Sequence, residues 1–551
     1  MTDYNADVVI VGAGVAGLLA AYKLAQAGVQ VLVLEAGPRV NRAEALENYR
    51  KAVAKVPESP YPDVPHAPRP TVLSLRDGYY IQTGPDTFGS TYERRVGGTT
   101  WHWLGTCLRH IPNDFRIKTL YGVGEDWPVT YDDLEPWYHE AEVELGVAGD
   151  GHSDLGSPRK NPYPLPPLPL SYLDRQLALA VEPLGLKVRL TPQARNSQTY
   201  DGRPPCCGNA TCVPICPIGA KYDGAVHATK AEALGAQVME NAVAYFVEVG
   251  AEGMVTGVRF KRPDGSEHRA LGRIYVLAGN AMETPKLLLI SRSDALPNGA
   301  ANTSDMVGRN LMDHPVQLSW ALAAEPVFPY RSPLENAGIE EYRDGEFRRE
   351  YSAFRIAIGE EGWSFPGITP IELAGELLAE GYRGRTLREE LNHRVARQYR
   401  FANLIEQMPD PENRITPAFD QLDAIGIPRP QIYYRLDEHT RKGMAAAREV
   451  CDRIFAAMRS TAIEHSPEHF GAGHVMGTYR MGSDPATSVA DPQQRAHDHP
   501  NLFLLGSGLF PSVGTGNPTL TIAALSLWAA RTIQEDLNRI ADHSGPKRAA
   551  G

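Results

Sequence analysis

The sequence predicts a nucleotide-binding α/β body into which a second, β-rich domain is inserted. Three observations carry this. An apolar run, Asp7 to Val11, ends in Gly12-x-Gly14-x-x-Gly17 and a helical stretch, and a second apolar run, Leu32 to Leu34, ends in Glu35. The chain has 551 residues, more than one simple core holds, so two domains are the starting expectation. From about Pro315 to Arg448 the text turns to alternating β-like stretches with a charged helical stretch near Ile371 to Gln398, after which small and apolar character returns.

Each part of the opening motif has a physical task. Gly12 permits the tight turn out of the strand, and Gly14 lets the backbone approach a pyrophosphate. Gly17 lets the helix pack closely on the sheet, and the helix N-terminus then offers its free N–H groups to the phosphates. Glu35, at the end of the second strand, is placed to accept hydrogen bonds from a ribose hydroxyl. An ordinary β-α-β unit explains the apolar runs but not the glutamate.

Composition narrows the class. A hydrophobic fraction of 42% and a charged fraction of 22% are those of a soluble globular protein. A net charge of −11 argues against nucleic acid or an acidic membrane surface as the main partner. No apolar run is long enough to span a bilayer. Met1 to Ala6 is short, polar and acidic, so no secretory signal is read there, and the chain alone reads as cytoplasmic. Of six cysteines, Cys206, Cys207, Cys212 and Cys216 cluster, while Cys107 and Cys451 are isolated and read as small core residues.

Along the chain, residues from Pro38 to about Leu75 read as irregular surface segment, and the proline-rich Asn161 to Leu170 as extended. Val96-Gly97-Gly98-Thr99-Thr100-Trp101-His102-Trp103 suits a loop pressed against a flat ring. Lys221 to Gly250 reads as helix then strands, with a hairpin turn at Arg262-Pro263-Asp264-Gly265. Ile274 to Gly279 is a strand closing on glycine, and Pro285 to Ser291 opens a helix with proline in its first turn. The C-terminal helix runs from about Leu520 to Asn538. No internal repeat or low-complexity tract is present.

Four further signals follow the opening motif in order. They are Gly97 to Trp103; Gly279 with Thr284 to Leu289; Val307 to Pro315 through Met312-Asp313-His314; and the tail, His474 to Gly482, Asn501 to Gly506, and Gly514-Thr515-Gly516-Asn517-Pro518-Thr519. With these motifs the chain resembles the glucose–methanol–choline (GMC) family of flavin oxidoreductases over nearly its whole length. The resemblance implies an α/β plus α+β architecture: a Rossmann-type FAD-binding domain from residues 1–45, 90–165, 200–314 and 455–545, and a substrate domain on an antiparallel sheet, with surface segments, from 46–89, 166–199 and 315–454. It implies oxidation of an alcohol carbon by hydride transfer to FAD. His474 matches the family's catalytic histidine, and Asn517 the partner position. Gly97, Gly98, Thr99, His102, Trp103, Val243, Gly279, Gly506, Asn517 and Thr519 join Gly12, Gly14, Gly17 and Glu35 as flavin-binding positions. His102 stands where some members link a histidine covalently to flavin; the alternative is that it packs beside the ring.

Such chemistry asks for a base that takes the hydroxyl proton as hydride leaves the same carbon, and a second polar group that holds the oxygen. Histidine suits the first task because its free pKa lies near working pH.

Cys206-Cys207-Gly208-Asn209-Ala210-Thr211-Cys212-Val213-Pro214-Ile215-Cys216-Pro217 has the density and the trailing proline of iron–sulfur segments. Zinc knuckles and a pair of disulfides fit it less well. The segment is similar to that of the large catalytic subunits of bacterial membrane-bound glucose and fructose dehydrogenases. That resemblance implies a 3Fe-4S cluster on Cys206, Cys212 and Cys216, with Cys207 left over, for which pairing with a partner subunit is one use. It also implies electrons passed to a cytochrome or quinone, a small chaperone-like subunit, a cytochrome c subunit, and a place on the periplasmic face of a bacterial inner membrane reached through those partners.

The chain departs from those enzymes in two places. They have asparagine just before the catalytic histidine, where this chain reads Ala472-Gly473-His474, and they read Gly-Thr-Val-Asn near the partner position, where this chain has Gly514-Thr515-Gly516-Asn517-Pro518. The reaction type is therefore better specified than the substrate, and gluconate, a keto-acid sugar, a polyol or a glycoside stays open. Two other classes compete: a flavin oxidase using oxygen directly, and an electron-transfer flavoprotein subunit without a substrate. His474 and Asn517 speak against the second.

Overall fold

A computed structural model describes residues 2–53, 55–363 and 369–544. The outer ends of the segments expected at 1–45 and 455–545 lie outside the described residues, as do 364–368 within 315–454.

A parallel sheet forms the centre of the nucleotide-binding body. Its five strands run in the order Leu502–Leu504, Ile274–Leu277, Val8–Val11, Val31–Leu34, Gln237–Met239, every pair parallel. The runs are apolar because both faces are covered. Helix Val15–Gln26 packs on this sheet and on the C-terminal helix, Thr519–Ser544. A four-stranded sheet flanks the body, in the order Thr2–Asn5, Glu267–Leu271, Val255–Lys261, Val243–Val249. Its hairpin turns at Gly265, whose φ of +80° and bond to Arg262 O fit the expected turn.

The second body is a seven-stranded, wholly antiparallel sheet. In order it runs Thr461–His465, Pro315–Leu322, Gln398–Ile405, Phe354–Gly359, Ala337–Ile339, Val188–Leu190, with Phe470–Gly471 also paired to Pro315–Leu322. Residues 461–471, expected with the flavin-binding segment 455–545, thus pair with the substrate-side sheet. Alternation fixes its two faces. One meets helix Glu438–Ala457, which buries Met444, Ala447, Val450, Cys451, Ile454 and Phe455, and where Asn403 donates to Cys451 Sγ at 3.3 Å. The other carries Val316, Leu318, Trp320, Ala402 and Leu404 toward the parallel-sheet body. Cys107 and Cys451 are both core residues.

Three local expectations change. A helix, Arg42–Lys51, interrupts the segment read as irregular, because Asn41 caps it through the amides of Ala43 and Glu44. The helix expected to open at Pro285 begins at Asn280 and ends at Ile290. Proline inside a helix leaves the carbonyl four residues back without its donor; here Ala281 O accepts the Thr478 hydroxyl at 2.6 Å instead. The charged stretch from 371 to 398 is two helices, Pro370–Ala379 and Gly384–Val395, separated at Gly381, whose φ is +99°.

Candidate active site

One cavity runs between the two bodies. Of the positions expected to contact flavin or substrate, all but Gly17 and Gly97 line it, from Glu35 at one end to His474 and Asn517 at the other. The two exceptions act through packing. A Cβ on Gly17 would stand 2.0 Å from Gly12 O, and one on Gly97, at φ +100°, 2.5 Å from the Trp101 indole nitrogen. A Cβ on Gly14 would meet nothing within 4 Å, so the turn is open to the cavity. No side chain caps the helix that starts after Gly14, and its N–H groups face the cavity with the helix dipole behind them.

Glu35 is buried and already holds the turn, with Oε2 accepting from Ala13 N at 2.8 Å and Oε1 from Gly37 N at 3.1 Å. Burial raises its pKa, while these bonds work the other way. Each oxygen keeps a lone pair for a sugar hydroxyl. Val243 lines the same end. In the Gly98–Trp101 turn, Trp101 points away and donates to Val96 O, whereas His102 and Trp103 line the cavity. His102 Nδ1 stands 3.6 Å from Glu93 Oε1.

At the far end the histidines form a chain that fixes their protons. His314 Nε2 faces the carbonyl of Gly514 at 3.0 Å, and a carbonyl only accepts, so Nε2 carries the hydrogen. Burial lowers the pKa of His314 to about 4, which keeps it neutral and its Nδ1 bare. That Nδ1 is 2.8 Å from His474 Nδ1, so His474 must donate from Nδ1. His474 Nε2 is then left as a bare acceptor. Burial, with His314 and Arg355 nearby, holds the pKa of His474 well below the ordinary value. Asn517 Nδ2 is 3.4 Å from this Nε2, and its Oδ1 is buried without a partner among the described residues. One hydroxyl oxygen between them would meet an amide donor and a base.

The backbone around this pair is tied down by residues that the sequence reading passed over. Asp313 Oδ1 accepts from His314 N at 2.7 Å and His474 N at 3.2 Å, and its other oxygen takes the Ser90 hydroxyl. Burial pushes Asp313 up to about 7, against these bonds. Arg343 donates from Nε to Thr515 Oγ1 at 3.0 Å, holding the loop that carries Asn517. The motif Met312-Asp313-His314-Pro315 marked the place, but not the roles of Asp313 and His314. The wall beside the base is apolar, formed by Val316, Ala402, Leu404 and Ala472; Arg400 lines the cavity further along the sheet, opposite Trp320, with Glu335 3.6 Å from its guanidinium.

Cys206, Cys207, Cys212 and Cys216 line a separate small recess, together with Arg195 and Lys221. Cys212 and Cys216 are buried and Cys207 is exposed. Among the described residues, no three His, Cys, Asp or Glu side chains stand in a metal-holding arrangement. The charges are nevertheless informative. Arg195 is 1% exposed, with Nε and Nη1 unpartnered among the described residues, and Lys221 is 2% exposed, its ammonium bound among them to carbonyls alone. Burial lowers the pKa of Lys221, while three carbonyl acceptors answer the three hydrogens of its ammonium. A recess lined by four thiols beside two buried basic side chains fits an anionic group such as an iron–sulfur cluster.

The GMC oxidoreductase family models match residues 92–316 and 409–526, and an FAD-dependent oxidoreductase model matches residues 7–48. Over 97% of its length the chain is 43% identical to the fructose dehydrogenase large subunit of Gluconobacter japonicus, covering 99% of that protein. It is 30% identical to 6'''-hydroxyparomomycin C oxidase of Streptomyces lividus, over 96% of this chain and 92% of the relative. Among solved structures, pyridoxine 4-oxidase from Mesorbium loti shares the fold, with a TM-score of 0.65 at 20% identity over 96% of this chain and 99% of that one.

Proposed function

From the premise that the chain belongs to the GMC oxidoreductase family, whose members are FAD-dependent enzymes acting on CH–OH groups, we propose that it oxidises a secondary or anomeric alcohol of a sugar or sugar derivative and passes the electrons through a cysteine-bound cluster to an outside acceptor. The observation that carries the reading is the His314–His474 chain, which leaves a neutral imidazole nitrogen bare beside Asn517.

FAD would lie along the cavity, its pyrophosphate at Gly14 and the helix start, its ribose at Glu35, and its ring toward His102, Trp103 and Asn517. When bound it supplies the hydride acceptor. The chain's own residues do the rest. Asn517 Nδ2–H holds the substrate oxygen, and His474 Nε2 takes the hydroxyl proton as the carbon gives up hydride. His314 keeps His474 in the tautomer that can do so. Histidine as base contributes roughly 10²- to 10⁴-fold in such reactions. The apolar wall at Ala472 and Val316 offers no side-chain hydrogen bond beside the reacting carbon, which leaves Glu335 and Arg400 to read more distant hydroxyls. The division into a flavin-binding body (1–45, 90–165, 200–314, 455–545) and a substrate part belongs to the same proposal.

Cys206, Cys212 and Cys216 would hold a 3Fe-4S cluster, and the likeness to a protein named as a large subunit supports partner subunits: a small chaperone-like chain and a cytochrome c. Those partners would place the enzyme at the periplasmic face of an inner membrane. No helix among the described residues is long and apolar enough to cross one.

The test is anaerobic addition of single sugars, aldonates and polyols to the purified protein while following oxidised flavin absorbance. Bleaching by one carbohydrate class supports the reading and names the substrate. Flavin that no carbohydrate bleaches overturns the substrate assignment.

A further inference from the structure

Lys221 joins two parts of the molecule that the proposed reaction must connect. Its ammonium donates to the carbonyls of Trp101 and Trp103, on the loop that walls the flavin cavity, and to the carbonyl of Cys212, in the cysteine segment. Arg195 is built into the same partition: its Nη2 donates to Leu104 O and Leu334 O, and its remaining guanidinium nitrogens have no partner among the described residues. Gly105, at φ +91°, brings the two together, since a Cβ there would meet Lys221 Cγ at 3.4 Å and Arg195 Cγ at 3.6 Å.

Two buried cations side by side are costly unless a negative charge answers them. Among the described residues neither has a carboxylate ion pair, and Asp223, whose field reaches Lys221, is already bridged to Arg42. What faces them is the cysteine recess. A cluster on three thiolates carries net negative charge, and reduction by one electron adds another.

We propose that Lys221 and Arg195 are the counter-charges of the cysteine-bound cluster, that they stabilise its reduced form and so raise its reduction potential, and that Lys221 also ties it to the flavin-side loop. This rests on the cluster proposed above. The balance is simple: reduced flavin loses one electron, the cluster gains it, and a one-electron acceptor of the cytochrome or quinone class then takes it, twice per substrate, while the proton that arrived with the hydride and the one taken by His474 return to solvent. Nearby charge and hydrogen bonding are the protein's means of setting such potentials.

The experiment is an EPR-monitored redox titration of anaerobically purified holoprotein, with iron content measured on each sample. Lys221→Met and Arg195→Met remove a charge; Lys221→Arg and Arg195→Lys keep it. The expected result is a midpoint potential shifted to lower values in both methionine variants and left at the wild-type value in the conservative ones. If Lys221→Met loses its iron, Arg195→Met carries the comparison. Iron and EPR signal in the wild type with an unmoved midpoint in the methionine variants overturn the assignment of Lys221 and Arg195 alone. Wild-type protein without iron overturns the cluster reading, and this inference with it.

Discussion

The two buried sites on either side of the Gly97–Leu104 segment meet their charges in opposite ways. At the cavity end, His314, His474 and Asp313 are bonded to one another or to the backbone, and both histidines are held neutral. In the cysteine recess, the side chains of Arg195 and Lys221 are buried, and neither has a carboxylate ion pair among the described residues. A base that must take a proton and return it needs a neutral, oriented nitrogen. A site that holds a permanent anion needs fixed positive charge. The first arrangement is complete in the protein alone; the second would be completed by the cluster proposed for it.

The largest effect that would sharpen this contrast lies in the recess. Replacing Cys206, Cys212 or Cys216 by serine should abolish bound iron, while Cys207→Ser, at the exposed position, should keep it; equal iron in all four would break the assignment of ligands. At the other end, Asn517→Ala removes the donor that holds the substrate oxygen. Anaerobic stopped-flow should show flavin reduction slowed roughly tenfold to a hundredfold.

The sequence showed these places unevenly. Gly12, Gly14, Gly17 and Glu35 were legible because their spacing is local and each answers one steric or hydrogen-bonding demand. The cysteines, too, are close in sequence, and the fold brings them to one recess. His314 was not, since its partner lies 160 residues away and only the folded sheet brings them together. Nothing in the sequence singled out Arg195 or Lys221, because burial without a counter-ion is a property of the fold. The start of helix Asn280–Ile290 was misplaced because Pro285 is a valid helix opener, and the Thr478 hydroxyl that lets it sit inside comes from far along the chain.

Smaller effects test the histidine chain itself. His314→Phe leaves His474 Nδ1–H without its acceptor and frees the tautomer; flavin reduction should slow about tenfold, with the acid limb of its pH profile displaced. An unchanged profile would leave His314 a packing residue. In the wild type, activity needs neutral His474, whose pKa is lowered, so activity is lost as pH falls through that lowered value. The rate of flavin reduction should therefore hold steady down through pH 6.5 and decline only below it. Folding stability follows the same sign. The unfolded chain protonates these histidines near 6.5 while the folded chain resists, down to about 4 for His314, so stability falls as pH drops across that window.

The central claim is that His474 Nε2 takes the substrate's proton. The most direct measurement is the anaerobic rate of flavin bleaching in His474→Ala, with flavin binding verified by its spectrum, against the wild type and the same sugar. The account predicts a loss of roughly 10²- to 10⁴-fold. Bleaching at the wild-type rate would contradict it.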